Sequence, residues 1–161
     1  VTPDAQRTMS TFLGAAADLT VDDIEADVIK SSKVTYLEGY LFDPPAAQQA
    51  FIAAAEIAHE AGRKVAITLS DSFCVERHRE AFRALVEAHI DIVFANAPEI
   101  LSLYQVENFD DALQAARGHC EVACLTRGEK GSVILSGDEV HVVDAAPVTS
   151  VVDTTGAAST T

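Results

Sequence analysis

The clearest signal for the fold lies in residues 151–161, which read Val151-Val152-Asp153-Thr154-Thr155-Gly156-Ala157-Ala158-Ser159-Thr160-Thr161. Two β-branched residues lead into an acid, two hydroxyl side chains, a glycine and then small residues. This order is typical of a strand that turns through a glycine into the start of a helix. The first amides of a helix have no partner within it, so such a turn suits an anion such as a phosphate.

Upstream of this stretch, short apolar segments alternate with amphipathic ones. We predict strands at residues 7–14 (with a turn), 33–41, 65–69, 91–95, 122–126, 132–135 and 140–143, and helices at residues 21–31, 46–61, 75–88, 98–104 and 110–117. Ser136-Gly137-Asp138-Glu139 is a hairpin signal between the last two strands. Alternation at this spacing predicts right-handed βαβ crossovers and a three-layer α/β/α sandwich with a mainly parallel sheet.

Composition limits the classes of partner and compartment. The chain has 161 residues, of which 48% are hydrophobic, enough for the core of one compact domain. Its net charge of −14 argues against nucleic acid and anionic membranes as partners. No apolar run approaches the roughly 20 residues that span a bilayer. The odd number of cysteines (Cys74, Cys120, Cys124) favours free thiols and a cytoplasmic protein.

Two further motifs follow predicted strands, where open parallel sheets bind their ligands. The first is Asn96-Ala97-Pro98-Glu99. Asn96 and Glu99 have the spacing of a capping box, which would merely start a helix. A carboxylate here could equally serve a magnesium ion through water, because Mg²⁺ prefers oxygen and keeps several waters.

The second motif is Thr126-Arg127-Gly128-Glu129-Lys130-Gly131-Ser132. Two glycines three residues apart would let the backbone approach a phosphate closely. A hairpin-like turn explains the same glycines. Asp71 is similarly open to two interpretations, as a residue facing phosphates or as the N-cap of the next helix.

The order N-x-x-E, T-x-G-x-x-G and D-T-T-G-A resembles the ribokinase-like (PfkB) family of carbohydrate and nucleoside kinases. The stretch Ser70-Asp71-Ser72-Phe73-Cys74-Val75-Glu76-Arg77-His78-Arg79 resembles the adenosine-kinase-like branch of that family. The resemblance implies a ribokinase-like fold truncated at both ends, with residues 1–161 as the central, nucleotide-side portion of a kinase domain.

The resemblance also implies roles for individual residues. ATP would be contacted by Asn96, Glu99, Thr126, Gly128, Gly131, Gly156 and Ala157, and Glu99 would hold Mg²⁺ through water. Asp153 and Thr155 lie where some members bind a monovalent cation such as K⁺. Ala158 and Ser159 depart from the family, which has Gly and the catalytic Asp at these positions. A serine hydroxyl is a poor base near neutral pH, so no catalytic base is expected in this chain.

The implied reaction is phosphoryl transfer from ATP to a hydroxymethyl group of a sugar or nucleoside. We expect this chain to be inactive alone, because it lacks the Asp base and the substrate-binding segments. The alternative is a non-catalytic nucleotide-binding or oligomerising module on the same fold, and a homodimer stays open. The expected partners are ATP and a small sugar or nucleoside.

Overall fold

The computed structural model describes residues 1–3, 8 and 10–152. The strands are β1 (Val34–Glu38), β2 (Lys64–Thr68), β3 (Ile92–Asn96), β4 (Val122–Thr126), β5 (Ser132–Ser136) and β6 (Glu139–Val143). The α-helices are α1 (Ala26–Ser31), α2 (Pro45–Glu60), α3 (Ser72–Arg77), α4 (Arg79–His89), α5 (Ala97–Tyr104) and α6 (Phe109–Ala116). Short 3₁₀ helices cover Gly14–Asp18, Val21–Asp23, Gly39–Phe42 and Gly128–Lys130.

The strands form one six-stranded sheet in sequential order, from β1 to β6. Strands β1 to β4 are parallel, whereas β5 and β6 are antiparallel additions at one edge. The predicted mainly parallel α/β sheet and the hairpin between β5 and β6 are therefore confirmed. The hairpin turns at Gly137, whose φ of 56° suits glycine.

The described helices lie side by side as one layer, with α2 packed on α1 and α4, and α5 packed on α4 and α6. Right-handed crossovers between strands in sequential order place their helices on the same face of the sheet. The covered face is recognised by its buried register partners, Leu37, Ile67, Val93, Ala123 and Leu135. A second helical layer is not found among residues 10–152.

Most element boundaries lie within a few residues of those predicted, and β4 matches the predicted residues 122–126. Helix α2 begins at Pro45 and is followed by Gly62, which has the positive φ of 67° expected of a C′ glycine. Strand β5, the first strand of the hairpin, extends one residue further than predicted.

Three predictions of secondary structure are wrong. The described part of residues 7–14 contains no strand, and Gly14 begins a 3₁₀ helix instead. The helix predicted at residues 21–31 is split into a 3₁₀ turn and α1, with extended backbone at Ile24 and Glu25. The helix predicted at residues 75–88 begins earlier and is divided at His78, whose φ of −121° is not helical.

The break at His78 has a tertiary cause. The His78 ring bonds to Asp43 (Nε2 to Oδ1, 2.8 Å), and Arg77 binds both oxygens of the same carboxylate. Asp43 follows the 3₁₀ turn after β1, so this contact joins α3 to a segment 34 residues away. The ring of Phe42, buried beside Asp43, packs on Phe82 of α4 with a centroid separation of 4.4 Å.

No helix in the described part of the chain is both long enough and apolar enough to cross a lipid bilayer.

Candidate functional site

Strands β1 to β4 run in the same direction, so their carboxyl ends meet at one edge of the sheet, which we call the carboxyl rim. Asn96 ends β3 and Thr126 ends β4, and the two residues are register partners. The N-x-x-E motif and the T-x-G-x-x-G motif, separate in sequence, therefore begin side by side at this rim. Open α/β sheets bind ligands at this kind of edge.

Asn96 and Glu99 form a complete capping box at the start of α5. The Asn96 amide nitrogen donates to Glu99 Oε2 (2.9 Å), and the Glu99 amide nitrogen donates to Asn96 Oδ1 (2.9 Å). Asn96 Nδ2 also donates to Glu99 Oε1 (2.8 Å). The capping interpretation of this motif is confirmed, and both oxygens of the Glu99 carboxylate already accept a hydrogen bond.

The Glu99 carboxyl group is nevertheless in an unusual environment. The residue is only 4% exposed. Burial raises its pKa to about 7, the hydrogen bonds from Asn96 act against this, and the negative charges of Asp71 and Glu38 add to the rise. Asp71 follows β2 and Glu38 ends β1, so three carboxyl groups lie at the rim. A buried acid with a perturbed pKa in such a position is a candidate for function.

These carboxyl groups suit a hydrated cation better than a directly bound one. Among the described residues, no group of three or more His, Cys, Asp or Glu side chains has the geometry to hold a metal ion. Carboxylate oxygens are the donors that Mg²⁺ prefers, and Mg²⁺ keeps several of its waters. Burial is the main cause of the raised pKa of Glu99, and a nearby cation would relieve the repulsion that Asp71 and Glu38 add to it. The donor set therefore fits Mg²⁺ held through water.

The loop after β4 is a tight 3₁₀ turn over Gly128–Lys130. The Arg127 amide nitrogen donates to the Gly131 carbonyl oxygen (2.8 Å), and the Gly131 amide nitrogen donates to the Gly128 carbonyl oxygen (3.1 Å). Gly128 has a φ of 58° and Gly131 a φ of 77°, so both positions favour glycine. The loop follows Thr126, the register partner of Asn96, so its backbone lies next to the start of α5.

Gly131 also has a purely structural reason to be glycine. A Cβ atom at this position would lie 2.0 Å from the carbonyl oxygen of Val143 and 2.7 Å from the backbone nitrogen of Ala145. The chain that leaves β6 therefore passes directly over Gly131. The hairpin-like interpretation of this motif explains Gly131, while Gly128 remains the better candidate for contact with a phosphate.

Four basic side chains near the rim, Arg77, His78, Arg79 and Arg127, are engaged in hydrogen bonds, ion pairs or packing. The Arg127 guanidinium lies 5.3 Å from the ring centroid of Phe109 and donates to the Lys130 carbonyl oxygen. Arg77 and His78 bind Asp43, and Arg79 donates to the Ser102 carbonyl oxygen (2.7 Å). Residues 77–79 therefore do not form a free cationic surface. Burial raises the pKa of Asp43, but the hydrogen bonds from Arg77 and His78 outweigh burial and leave the pKa low.

Asp71 is the N-cap of α3, because its Oδ1 accepts a hydrogen bond from the Phe73 amide nitrogen (3.1 Å). The N-cap alternative for Asp71 is thus confirmed.

The sequence reasoning missed two residues of the rim, Glu38 and Ser70. The Ser70 hydroxyl donates to Glu38, and Ser70 has a left-handed φ of 66°, which is uncommon for a residue with a side chain. The next residue after Glu38, Gly39, passes so close to β2 that a Cβ atom would lie 2.5 Å from the Thr68 carbonyl oxygen. In the sequence, the position of Glu38 at the end of a predicted strand could have indicated that it lies at the rim.

The structure brings together Asn96, Glu99, Thr126, Gly128 and Gly131. The other predicted site residues, Asp153, Thr155, Gly156, Ala157 and Ser159, lie outside the described residues, as does Ala158. A separate shallow hollow of about 320 Å³ lies at the opposite end of the sheet, lined by residues such as His119 and Cys120, and is not part of the rim.

Comparison with protein families gives a match to the pfkB family carbohydrate kinase model over residues 1–157. The chain belongs to the pfkB family. The ribokinase-like resemblance inferred from the three motifs is therefore confirmed. Membership in this family supports a kinase-type function in general terms. No curated protein sequence matches the chain.

Two solved structures are similar in sequence as well as in fold. A protein described as a probable sugar kinase from Rhizobium etli is 50% identical, with a TM-score of 0.92, and the match covers 99% of this chain and 48% of that one. The adenosine kinase from Sinorhizobium meliloti is 51% identical, also with a TM-score of 0.92, covering 99% of this pfkB chain and 49% of its own. The chain therefore spans about half the length of these relatives.

A third structure shares the fold at low identity. It is a protein described as ribokinase II from E. coli, solved in complex with ATP and Mg²⁺; it is 20% identical, with a TM-score of 0.76, over 88% of this chain and 47% of that one. The ribokinase-like fold class is confirmed by these matches.

Proposed function

We propose that this chain forms the nucleotide-side portion of a kinase that transfers the γ-phosphoryl group of ATP to a hydroxymethyl group of a nucleoside or sugar. The main support is the register of Asn96 with Thr126, which brings the N-x-x-E and T-x-G-x-x-G motifs to one rim. Further support is the 51% identity to an adenosine kinase. Adenosine is therefore the first acceptor to test, and the cytoplasm is the compartment in which we expect the reaction.

The chain's own residues would contribute mainly by positioning. The Gly128 turn would approach the phosphates through its backbone, and the carboxyl rim would hold hydrated Mg²⁺ near Glu99. When bound, Mg²⁺ neutralises charge that develops on the phosphates during transfer. Deprotonated Glu99 would hold the cation better than the neutral acid, so bound Mg²⁺ would favour loss of the Glu99 proton.

We propose that residues 1–161 do not catalyse the transfer alone, because Ser159 stands where the family has its catalytic Asp. The same substitution supports a second candidate, a nucleotide-binding module without turnover. By the resemblance, Gly156 and Ala157 would add amides to the anion site, and Asp153 and Thr155 would contribute to a K⁺ site.

Calorimetric titration with ATP and Mg²⁺ tests the binding part of this proposal. We expect binding to the wild-type chain and its loss in Gly128→Val, because a branched side chain at a φ of 58° would distort the turn. Gly118→Val is the matched control, since Gly118 also has a positive φ but lies at the opposite end of the sheet. Equal binding by wild type and Gly128→Val would contradict the proposed site.

An assay for ADP release with adenosine or ribose separates the two candidates. The wild-type chain should show no turnover above background. Robust phosphorylation by residues 1–161 would contradict the proposed lack of activity, and absence of ATP binding would remove both candidates.

A further inference from the structure

Arg127 connects the carboxyl rim to helix α6. It directly follows β4 and is the next residue after Thr126, the register partner of Asn96. Its guanidinium lies 5.3 Å from the ring centroid of Phe109, the first residue of α6. Phe109 in turn packs against the hydrophobic core. A planar guanidinium over an aromatic face is a favourable contact, so the Arg127 side chain is anchored on the body of the domain.

The same residue closes the turn over Gly128–Lys130, which we call the Gly128 turn, at three points. The Arg127 amide nitrogen donates to the Gly131 carbonyl oxygen (2.8 Å), and the Arg127 carbonyl oxygen accepts from the Lys130 amide nitrogen (3.1 Å). The Arg127 Nη2 atom donates to the Lys130 carbonyl oxygen (3.1 Å). The backbone of Arg127 thus shapes the turn, and its side chain ties the turn to α6.

The Gly128 turn offers two backbone donors to a ligand. Among the described residues, the amide nitrogens of Gly128 and Glu129 donate to no other backbone group. Successive N–H groups of this kind can bind an anion when the backbone is held in a suitable conformation. Because a glycine adopts many conformations, a contact that fixes the turn prepares it for an anion.

The Arg127 side chain also has an unmet hydrogen bond. Its Nε atom is buried and has no hydrogen-bond partner within the described part of the chain. An unpaired buried N–H lowers stability, and functional sites are one place where proteins retain such groups. The cost at Nε is therefore consistent with a role for Arg127 beyond stability.

Direct contact with the phosphates is the competing role for a cation beside a nucleotide. The guanidinium of Arg127, however, lies against the Phe109 ring and already donates to the Lys130 carbonyl oxygen. We infer that Arg127 is a positioning residue, which acts through these two contacts to hold the Gly128 turn in the conformation that receives the phosphates. The inference rests on the proposed nucleotide site and adds to it a residue that does not touch the ligand.

Two substitutions separate positioning from direct contact. Arg127→Met removes the charge and the donor, whereas Phe109→Leu removes only the ring on which the guanidinium lies. Calorimetric titration with ATP and Mg²⁺ should show affinity falling about tenfold in Arg127→Met and about threefold in Phe109→Leu. The double variant should lose no more than Arg127→Met, because both substitutions break one linkage. Phe109→Tyr keeps the aromatic face and should bind like wild type.

Arg83→Met is the matched control. The Arg83 guanidinium lies 5.6 Å from the ring centroid of Tyr104, so this substitution removes a contact of the same kind and the same charge between α4 and α5. ATP affinity should be unchanged. Circular dichroism and urea unfolding of each variant show whether it has folded.

A measurement without nucleotide tests the turn itself. The Lys130 and Gly131 amides donate within the turn, so their hydrogen exchange, followed by NMR, reports how firmly it is closed. We expect exchange at both amides to be about fivefold faster in Arg127→Met and Phe109→Leu, because the turn then opens more often. Phe109→Tyr and Arg83→Met should exchange like wild type.

Wild-type exchange rates at both amides in folded Arg127→Met would overturn the inference, whether or not the chain binds ATP. Wild-type ATP affinity in Phe109→Leu together with a loss in Arg127→Met would assign the guanidinium to direct phosphate contact and would also overturn it. Losses that add in the double variant would do the same. Absence of ATP binding by the wild-type chain contradicts the proposed function instead, so the two failures can be told apart.

Discussion

The Glu99 carboxyl group takes part in a helix cap and is also buried. As part of the capping box it accepts hydrogen bonds from Asn96, and as a buried acid near Asp71 and Glu38 it resists ionisation, with a pKa of about 7. A residue with either property alone would need no further explanation. The combination at the carboxyl rim is what distinguishes this cap from the one at Asn108, which is exposed.

We expect the ionisation of Glu99 to make the chain less stable as pH rises. The unfolded chain loses this proton near pH 4.5, whereas the folded chain keeps it up to about pH 7, so stability decreases between these values. Glu99→Gln removes this dependence. Urea unfolding at pH 5 and pH 8 should show wild type losing about 3 kcal/mol relative to the variant across the window.

Glu56→Gln, at an exposed position of α2, is the control and should follow wild type at both pH values. A difference between Glu99→Gln and wild type that does not change with pH would show that the carboxyl group titrates normally.

Substitutions at Gly131 and Gly62 distinguish the loss of stability caused by an unfavourable φ from the loss caused by a steric clash. Both have a positive φ, but a Cβ atom at Gly62 would meet nothing within 4 Å, whereas at Gly131 it would lie 2.0 Å from the Val143 carbonyl oxygen. Thermal and urea unfolding should therefore show a loss of about 1 kcal/mol for Gly62→Ala and about 2–5 kcal/mol for Gly131→Ala. Equal losses would mean that the chain after β6 moves away from Gly131 without cost.

At the scale of elements, three of the described helices begin with side-chain caps that accept a backbone hydrogen bond. Asp71 caps α3, Asn96 caps α5 and Asn108 caps α6. The spacing of Asn96 and Asn108 before an apolar periodic segment is a local signal, which is why α5 and α6 begin within one residue of the predicted positions. The break between α3 and α4 has no such local signal, because it depends on Asp43.

The cap of α6 offers a test that does not involve the rim. Asn108 Oδ1 accepts a hydrogen bond from the Asp111 amide nitrogen (2.9 Å). Asn108→Ala should lower the free energy of unfolding by about 1 kcal/mol, and Asn108→Ser, which keeps a capping oxygen, should lower it much less. ATP binding should be unaffected in both variants, in contrast to Gly128→Val. Identical stability of the Ala and Ser variants would exclude a capping role for Asn108.

At the scale of the whole molecule, the amino-terminal edge of the sheet is held together by Asp91. Its carboxylate accepts from the Val65 amide nitrogen (2.7 Å), bonds to His59 at the end of α2 (2.9 Å) and pairs with Lys64. Lys64 also pairs with Glu121, which precedes β4. One acid thus joins β2, the segment before β3 and a helix end.

Asp91→Asn tests the contribution of this charge. Burial raises the pKa of Asp91, but the Val65 N–H, His59 and Lys64 outweigh burial and leave the pKa below its ordinary value. The stabilisation is therefore present above the unfolded pKa and is lost as pH falls through the folded one. We expect the variant to be about 1–3 kcal/mol less stable than wild type at pH 7, with the difference shrinking as urea unfolding is repeated toward pH 2.

Most of the element order, the mainly parallel sheet, the hairpin and the family could be predicted from the sequence alone. These follow from the period of apolar residues, from glycines at turns and from short motifs, all of which act between residues close in the chain. Asn96 and Glu99 are an example, because their mutual capping needs only the three-residue spacing that the sequence displays.

Features that depend on contacts between residues far apart in the chain could not be predicted from the sequence. Asp43 divides a predicted helix at His78, Val143 requires glycine at position 131, and Ser70 binds Glu38, each across a long separation in sequence. The same holds for the face of the sheet that the helices cover. Strand β3 carries apolar side chains on both faces, with Ile92 and Phe94 on one and Val93 and Ala95 on the other, and only the register and the side on which the helices pack show which pair faces the helical layer.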